Sequence, residues 1–402
     1  MTSASSMIND PVMQMAARFR NSLCLGKFST GISLAFSRTI SSSVHNHLLH
    51  DLTARRLPLT YDYLSPQPSH LLDLSLMDIL PELRPPSSPE NSLSMTLPSI
   101  CQPRRMAVGH HLIYFPPQVT LSQLLPDGTD ILHYPGEPFN HRLWAGGNIK
   151  FPPEGGLLLN GQRAVCVEAI RDVTVKGQEG EEKVFVSIER RFAPVEEGED
   201  EQAIRRRVLE NNETNSEGSI LTERRDLVFL REQTSEKLES GEVLHTRNSR
   251  LVKRMYHRST FAEGTDMNLF PAKAPSNPEI SRRIIPTKAL LFRYSALTFN
   301  AHLIHIDKEY TRDVEGHPNL LVHGPLSLTL MLTVLSFHLA RMGRVIREIE
   351  YRNLVPLYVD EEMRICAKAK DSRGDDSWEV WIEGPSGGLA VRGTVWTENA
   401  HS

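Results

Sequence analysis

The stretch PLSLTLMLTVLSFHLARMG, residues 325–343, decides the fold. Pro325 suits the first turn of a helix, where its missing N–H removes no hydrogen bond, and Gly343 suits the position just past the end. From Leu326 through Leu339 apolar residues fall on nearly every face, so the helix has to be enclosed on all sides. A membrane span is the rival explanation, because the apolar run of residues 320–340 has the required length. It contains His323, His338 and a proline, however, and four strand-like segments follow at once: VIREIEYRN, EMRICAKAK, SWEVWIEG and LAVRGTVWT. Their alternation fits a sheet that wraps the helix.

One buried helix in a curled antiparallel sheet is the hot-dog arrangement. Upstream of it the second domain opens with KALLF, residues 288–292, read as a strand. Earlier still, residues 60–231 alternate short strand-like runs with Pro and Gly breaks, as in GGLLLNGQRAVCVEAIRDVTVKG, EKVFVSIERRF and LTERRDLVFLRE, which is a second antiparallel signature. Among these lies VEEGEDEQAIRRRVLENNETNSEG, residues 195–218, whose charge and weak apolar periodicity suggest an exposed insertion. The polar segment ending in FPAKAPSNPEISRR reads as a linker wrapped over a surface. The expected organisation is α+β, a double hot-dog of two antiparallel sheets each wrapped around a central helix. Its parts are an N-terminal module over residues 55–235, a linker over 236–284 and a C-terminal module over 285–400.

Composition agrees with two packed cores: 402 residues, 40% hydrophobic and 23% charged. A net charge of −4 supplies no basic field for nucleic acid. Cys24, Cys101, Cys166 and Cys366 stand far apart, in neither a metal-ligand nor a disulfide pattern. The first fifty residues carry Arg18, Arg20, Lys27 and Arg38 against one acid, Asp10, with abundant Ser. That is transit-peptide composition, assigned to residues 1–45 with processing near Ser41 in FSRTISSSV; a Ser-rich tail with no address is the alternative. No long apolar stretch near the start favours a secretory signal.

Within FNAHLIHID, Asn300 precedes His305 by five positions, about 140° apart on a helix and on opposite faces of a strand. Both serve one site only if the segment is irregular. His302 and His305 at a three-residue interval invite a metal, but no acid stands at ligand spacing. His302 reads as a hydrogen-bonded structural residue, and His323 stays open.

RYSALTFNAHLIHID and LLVHGPLSLTLML resemble the signature of the MaoC-like hydratases, in the branch of the fungal type 2 hydroxyacyl-thioester dehydratases and mesaconyl-CoA hydratases. HHLIYFPP, LLPDG, RLWAGG and TERRDLVFLRE resemble landmarks of the same branch, so the likeness spans roughly residues 103–398. It implies a double hot-dog subunit in which only the C-terminal module keeps the catalytic pair, here Asn300 and His305. Most of the wider superfamily has an aspartate where this chain has Asn300. An amide can orient a water or a 3-hydroxyl but cannot act as a base. His305, expected near its reference pKa of about 6.5, is then left to carry the proton transfers alone. The resemblance also implies that the backbone N–H of Gly324, at the helix start, meets the enolate oxygen that forms when a thioester loses its α-proton. Without the resemblance Gly324 is an ordinary helix-start glycine.

Trp144, Gly146 and Gly147 are candidates for the acyl or pantetheine channel, since paired glycines admit close backbone approach; a core Trp beside a strand bend is the equal alternative for Trp144. Tyr294 and Ser295 are candidates for the entrance, against a buried Tyr with a satisfied hydroxyl. Arg247, Arg250, Lys253, Arg254 and Arg258 form a basic run, either a solvated linker or a surface that steers an acidic acyl carrier protein or coenzyme A phosphates.

The expectation is a hydro-lyase that interconverts (R)-3-hydroxyacyl and trans-2-enoyl thioesters in the mitochondrial matrix, in type II fatty acid synthesis. It needs no metal or redox cofactor, its substrate rides on acyl carrier protein phosphopantetheine or CoA, and the chain is a monomer or homodimer. The alternatives are a hydratase of a short dicarboxylyl-CoA or secondary-metabolite thioester, and a non-catalytic acyl-thioester binding module.

Overall fold

Among the described residues ten strands form one antiparallel sheet whose spatial order is β1-β3-β4-β5-β2-β7-β10-β9-β8-β6. They are β1 (Thr60–Tyr63), β2 (His141–Lys150), β3 (Arg163–Lys176), β4 (Lys183–Pro194), β5 (Leu221–Leu230), β6 (Ile280–Ile284), β7 (Arg344–Asn353), β8 (Met363–Ala369), β9 (Ser377–Glu383) and β10 (Leu389–Asn399). In this computed structural model the described residues are 46–84, 96–152, 157–177, 180–210, 221–231, 273–370 and 376–400. The expected transit peptide, the basic run at 247–258 and most of the expected linker fall outside them.

The strand order reads as one wiring used twice. In the first half the opening strand pairs with the third and the second with the fifth; in the second half β6 pairs with β8, and β7 with β10. The halves meet where β2 pairs antiparallel with β7, Ile149 opposite Ile349. This is the double hot-dog, its two sheets fused edge to edge so that neither central edge is left unpaired.

The helix read from residues 325–343 is α5, Gly324–Arg341, which follows the short helix α4, Lys308–Asp313. It lies on the second half with Leu326, Leu328, Leu330, Met331, Leu332, Leu335 and Leu339 all buried. Each contributes roughly 1.5–3 kcal/mol by leaving water. Its two buried threonine hydroxyls are absorbed locally: Thr329 Oγ1 donates to the Pro325 carbonyl at 2.9 Å and Thr333 Oγ1 to the Thr329 carbonyl at 2.8 Å. Gly343 closes it with φ +64°. No helix of the described residues is long and apolar enough to cross a membrane.

The corresponding position in the first half holds much less. Between β1 and β2 lie, among the described residues, α1 (Gln67–Leu76) and three short 3₁₀ turns, of which His110–Ile113 leads into an extended segment at Tyr114. The central element of that half is therefore short, and space is left on the sheet's concave face.

Three local readings need correction. KALLF is not a strand: α3 (Lys288–Thr298) begins there, capped by Thr287 Oγ1, which accepts from the Leu290 N–H at 3.2 Å. Leu290, Leu291, Tyr294 and Ser295 then fall on one buried face, a helical period. The strand of that region is β6, inside the segment read as linker. Second, the acidic insertion contains α2 (Glu201–Glu210), whose Ile204 and Val208, one turn apart, pack on Leu59, Val165, Val167, Ala193 and Val195. That pair was its apolar signal.

Third, Gly146 and Gly147 do not line a channel. A Cβ on Gly146 would lie 2.4 Å from the Tyr351 carbonyl oxygen, and one on Gly147 2.1 Å from that of Arg224. Both belong to the centre of the sheet, where β2 is squeezed between β5 and β7, next to a register shift after Trp144. The close approach is to backbone, not to a ligand. Gly147→Ala should therefore destabilise the chain by about 2–4 kcal/mol, since the clash is with a neighbouring strand and no flexible side chain can yield. A chemical-denaturation midpoint indistinguishable from the parent's would contradict this.

Candidate active site

The vacant space of the first half and the N-terminus of α5 bound one cavity of about 810 Å³, lined by Asn300, His302, His305 and Gly324 and, across from them, by Trp144, Arg142, Asp130, His133, Glu168, Arg190 and Arg225. The loop that carries the first three begins where α3 stops at Phe299, which takes a left-handed φ of 51°. Asn300 follows in irregular chain, and Leu303–His305 form a 3₁₀ turn. The irregularity required for Asn300 and His305 to share a site is present.

His305 is buried, and its Nδ1 lies 2.8 Å from the Leu321 carbonyl oxygen. A carbonyl can only accept, so Nδ1 carries the proton and Nε2 is left with its lone pair. Burial pushes the His305 pKa down to about 4, the carbonyl bond raising it a little and Arg142 lowering it. The reference value expected from sequence is thus corrected: the imidazole is neutral well below pH 6.5 because the ring is buried. Its ring stacks on His323 at 3.7 Å between centroids and meets His302 edge-on at 5.5 Å.

His323, left open by the sequence, is the residue just before α5; it is fully buried, and its Nε2 shares a hydrogen bond with Ser295 Oγ at 2.9 Å. Ser295 lines the cavity. Tyr294 does not belong to an entrance: it is a core side chain, 1% exposed, its hydroxyl 3.4 Å from Thr329 Oγ1.

Gly324 opens α5, so its N–H belongs to the first turn, whose donors have no partner inside the helix. A Cβ there would come within 3.1 Å of Asn353 Nδ2 and 3.3 Å of the Trp144 Cβ. Trp144 stands at the cavity wall and is also held in place by its neighbours. It lines the cavity, and its Nε1 donates to the Tyr351 hydroxyl at 2.8 Å while the Arg225 guanidinium sits 4.2 Å above the ring.

Sequence reasoning missed the charged wall opposite. Arg190 on β4 donates to Glu168 on β3 at 2.5 Å and to Glu223 on β5 at 2.9 Å, and Arg225 donates to Glu223 at 3.0 Å. Burial alone would raise both carboxyls, but the guanidiniums outweigh it, holding Glu168 far below the carboxylate range and Glu223 at about 2. His133 Nε2 approaches Glu168 at 3.2 Å, and Arg142 donates to Asp130 at 2.9 Å. The signal was available: Arg190 occurs in the inward register of Val184, Val186, Ile188 and Phe192 on β4, and Glu223 in that of Leu221 and Leu227 on β5. Among the described residues no His, Cys, Asp and Glu side chains cluster in a way that would hold a metal ion.

With this geometry in view, the likenesses to known proteins gain meaning. The family model of hydroxyacyl-thioester dehydratase type 2 matches residues 109–359. Over 297 residues, 72% of this chain and 86% of the relative, the sequence is 27% identical to the mitochondrial hydroxyacyl-thioester dehydratase type 2 of Schizosaccharomyces pombe. Over 121 residues it is 38% identical to the mesaconyl-C(4)-CoA hydratase of Chloroflexus aurantiacus, covering 30% of this chain and 41% of that one. A MaoC-like dehydratase from Phytophthora capsici shares the fold, with a TM-score of 0.52 at 10% identity over 88% of this chain and 99% of its own.

The buried histidines set an acid limit on the folded state. Burial holds His110, His111, His305 and His317 near 4, whereas the unfolded chain titrates them near 6.5. Between those values the unfolded state binds more protons, so stability that is complete above about pH 6.5 is lost as pH falls toward 4. Asp73, raised by burial to about 6, offsets part of this by taking up a proton in the folded state. The thermal midpoint should fall steadily from pH 6.5 to about 4.5, with His305→Asn reducing the slope; a flat midpoint across that window would refute the assignment.

Proposed function

The chain belongs to the hydroxyacyl-thioester dehydratase type 2 family, and from that premise we propose that it removes water from (R)-3-hydroxyacyl thioesters and, in reverse, hydrates trans-2-enoyl thioesters. The observation that carries the reading is the His305 tautomer: Nδ1–H is spent on the Leu321 carbonyl, which leaves a neutral Nε2 as a base in a cavity beside the start of α5. In dehydration Nε2 takes the α-proton, and the C–H electron pair moves toward the thioester carbonyl as an enolate. The enolate pair then re-forms the carbonyl and makes the C2=C3 double bond as the C3–O bond breaks. The leaving hydroxide takes the same proton from the imidazolium and departs as water. The Gly324 N–H, with the helix dipole behind it, supports the enolate oxygen. Asn300 steers the hydroxyl through its amide N–H, because its Oδ1 already accepts from the His302 N–H at 3.0 Å.

No residue in this scheme calls for a metal or redox group. The substrate arm is the phosphopantetheine of acyl carrier protein or of CoA, and the place is the mitochondrial matrix, in type II fatty acid synthesis. The relatives' mitochondrial names and the composition of residues 1–45 support that address. The charged wall of Asp130, Arg142, Glu168, Arg190 and Arg225 supports a second reading of the substrate, a short or polar acyl chain. A long alkyl tail laid against it would take the remaining solvent from the partly exposed Arg142 and Arg225 without replacing those hydrogen bonds.

The test is hydration of trans-2-butenoyl-CoA and trans-2-decenoyl-CoA by the full chain, followed as loss of enoyl absorbance, with His305→Ala alongside. The parent should turn over at least one of them and the variant should lose about a hundredfold or more in kcat/KM. Preference for the butenoyl thioester supports the polar-chain reading. No turnover of either, or of carrier-bound forms, would leave a non-catalytic acyl-thioester binding module in place of the enzyme.

A further inference from the structure

Two buried polar atoms face one another across the boundary between the halves. Asp127 Oδ2, from the loop that precedes β2, and His302 Nε2, from the loop that carries Asn300 and His305, stand 3.5 Å apart. Both are buried and neither completes a hydrogen bond, which leaves each with the other as its facing polar group. Their loops are locked to each other: the Leu303 N–H donates to the Asp127 carbonyl at 2.8 Å, and Gly128, at φ +81°, sits so close that a Cβ would lie 2.1 Å from the Ala301 carbonyl oxygen. Asp127 is itself oriented, since its Oδ1 accepts from the Thr129 N–H at 2.8 Å and the Thr129 hydroxyl at 2.7 Å. What remains is Oδ2, aimed at the imidazole.

A carboxylate facing a ring nitrogen selects the tautomer with the proton on that nitrogen. With Nε2–H directed at Asp127, the lone pair of His302 is on Nδ1, and His302 lines the cavity. The ring faces His305 in its own loop, His141 and Arg142 on β2, and His317. Burial first, and then those neighbours, keep its pKa well below the ordinary value, so the lone pair is available at neutral pH. The site needs such an acceptor. A 3-hydroxyl or an attacking water has an O–H to place as well as an oxygen to be steered, and one of the two lone pairs of Asn300 Oδ1 is already taken by the His302 N–H.

We propose that His302, held in its Nε2–H tautomer by Asp127 of the first half, is a further substrate-contacting residue of the site: its Nδ1 accepts the hydrogen of the 3-hydroxyl or of the attacking water while Asn300 donates to the oxygen. This rests on the dehydratase reading and adds to it. Asp127 is a positioning residue that acts through His302, and the first half, expected to be non-catalytic, thereby supplies part of the reaction centre.

The test uses the full chain and trans-2-butenoyl-CoA, or whichever enoyl thioester the parent hydrates. His302→Ala should lower kcat on the order of thirtyfold or more with KM changed by less than about threefold, because the contact orients a reacting atom. His302→Asn, whose Oδ1 falls near the place of Nδ1, should recover about tenfold of that loss. In Asp127→Asn the Thr129 bonds keep the amide oxygen on their side and turn the NH₂ toward His302. The ring proton is thereby driven to Nδ1, and kcat should fall about as far as in His302→Ala.

If His302→Ala stays within twofold of the parent, or Asp127→Asn is fully active, the inference is wrong while the dehydratase reading stands. If the parent hydrates no enoyl thioester at all, both are wrong. A readout independent of turnover covers variants that do not fold: long-range ¹H–¹⁵N spectra of the histidines should find the His302 proton on Nε2 in the parent, and a proton on Nδ1 would overturn the proposal.

Discussion

A helix with no polar face has to be surrounded, and α5 sets that demand for the second half of the molecule. With Leu326 through Leu339 buried on all sides, the sheet must curl, and a curled five-stranded half exposes an edge at β7 that can pair with another strand. The β2–β7 ladder answers it: Gly146 and Gly147 admit the close approach of strands there, and Ile149 and Ile349 meet across the join. That junction brings the concave faces of the two halves side by side. Because the first half offers only a 3₁₀ turn where the second has eighteen residues of helix, the join encloses a cavity beside the packed cores of the two halves.

The two walls of the cavity follow different electrostatic rules. On the first-half side, buried guanidiniums and carboxylates alternate across neighbouring strands, Glu168 opposite Arg190 and Arg190 opposite Glu223, so each ion is desolvated beside its counter-ion and stays charged. On the second-half side, His302, His305 and His323 are buried together with few counter-charges, and burial keeps them neutral. Burial thus keeps the His305 imidazole neutral down to about pH 4. The ionic wall gives the same volume a polar lining that an apolar tunnel would lack.

Much of this was legible from local patterns. The unbroken apolar run with Pro325 and Gly343 at its ends announced an enclosed helix, and the alternating segments on both sides of it announced sheets. The misreadings share one cause. KALLF has five residues, too few to tell a strand from a helix by period, and only the Thr287 cap and the burial of Tyr294 one turn later decide it. Ile204 and Val208 stood one turn apart inside a run of charges that masked them. Glycine pairs signal close approach but never say to what, and at Gly146 and Gly147 the answer was a neighbouring strand.

Within the site, the residue types determined that Asn300 can orient a partner but not ionise and that His305 can exchange a proton, since those are properties of the side chains themselves, while the pairing of the two came from the resemblance and not from their spacing. The direction of each side chain, the tautomer of His305 and the depression of its pKa were decided only by the tertiary structure. They depend on the Leu321 carbonyl, on the depth of burial and on a loop from the other half of the chain, all distant in sequence. Asp127 lies 175 positions before His302, and no local pattern joins them. The physical reason is general: chemical capacity belongs to a residue, whereas protonation and orientation belong to its surroundings.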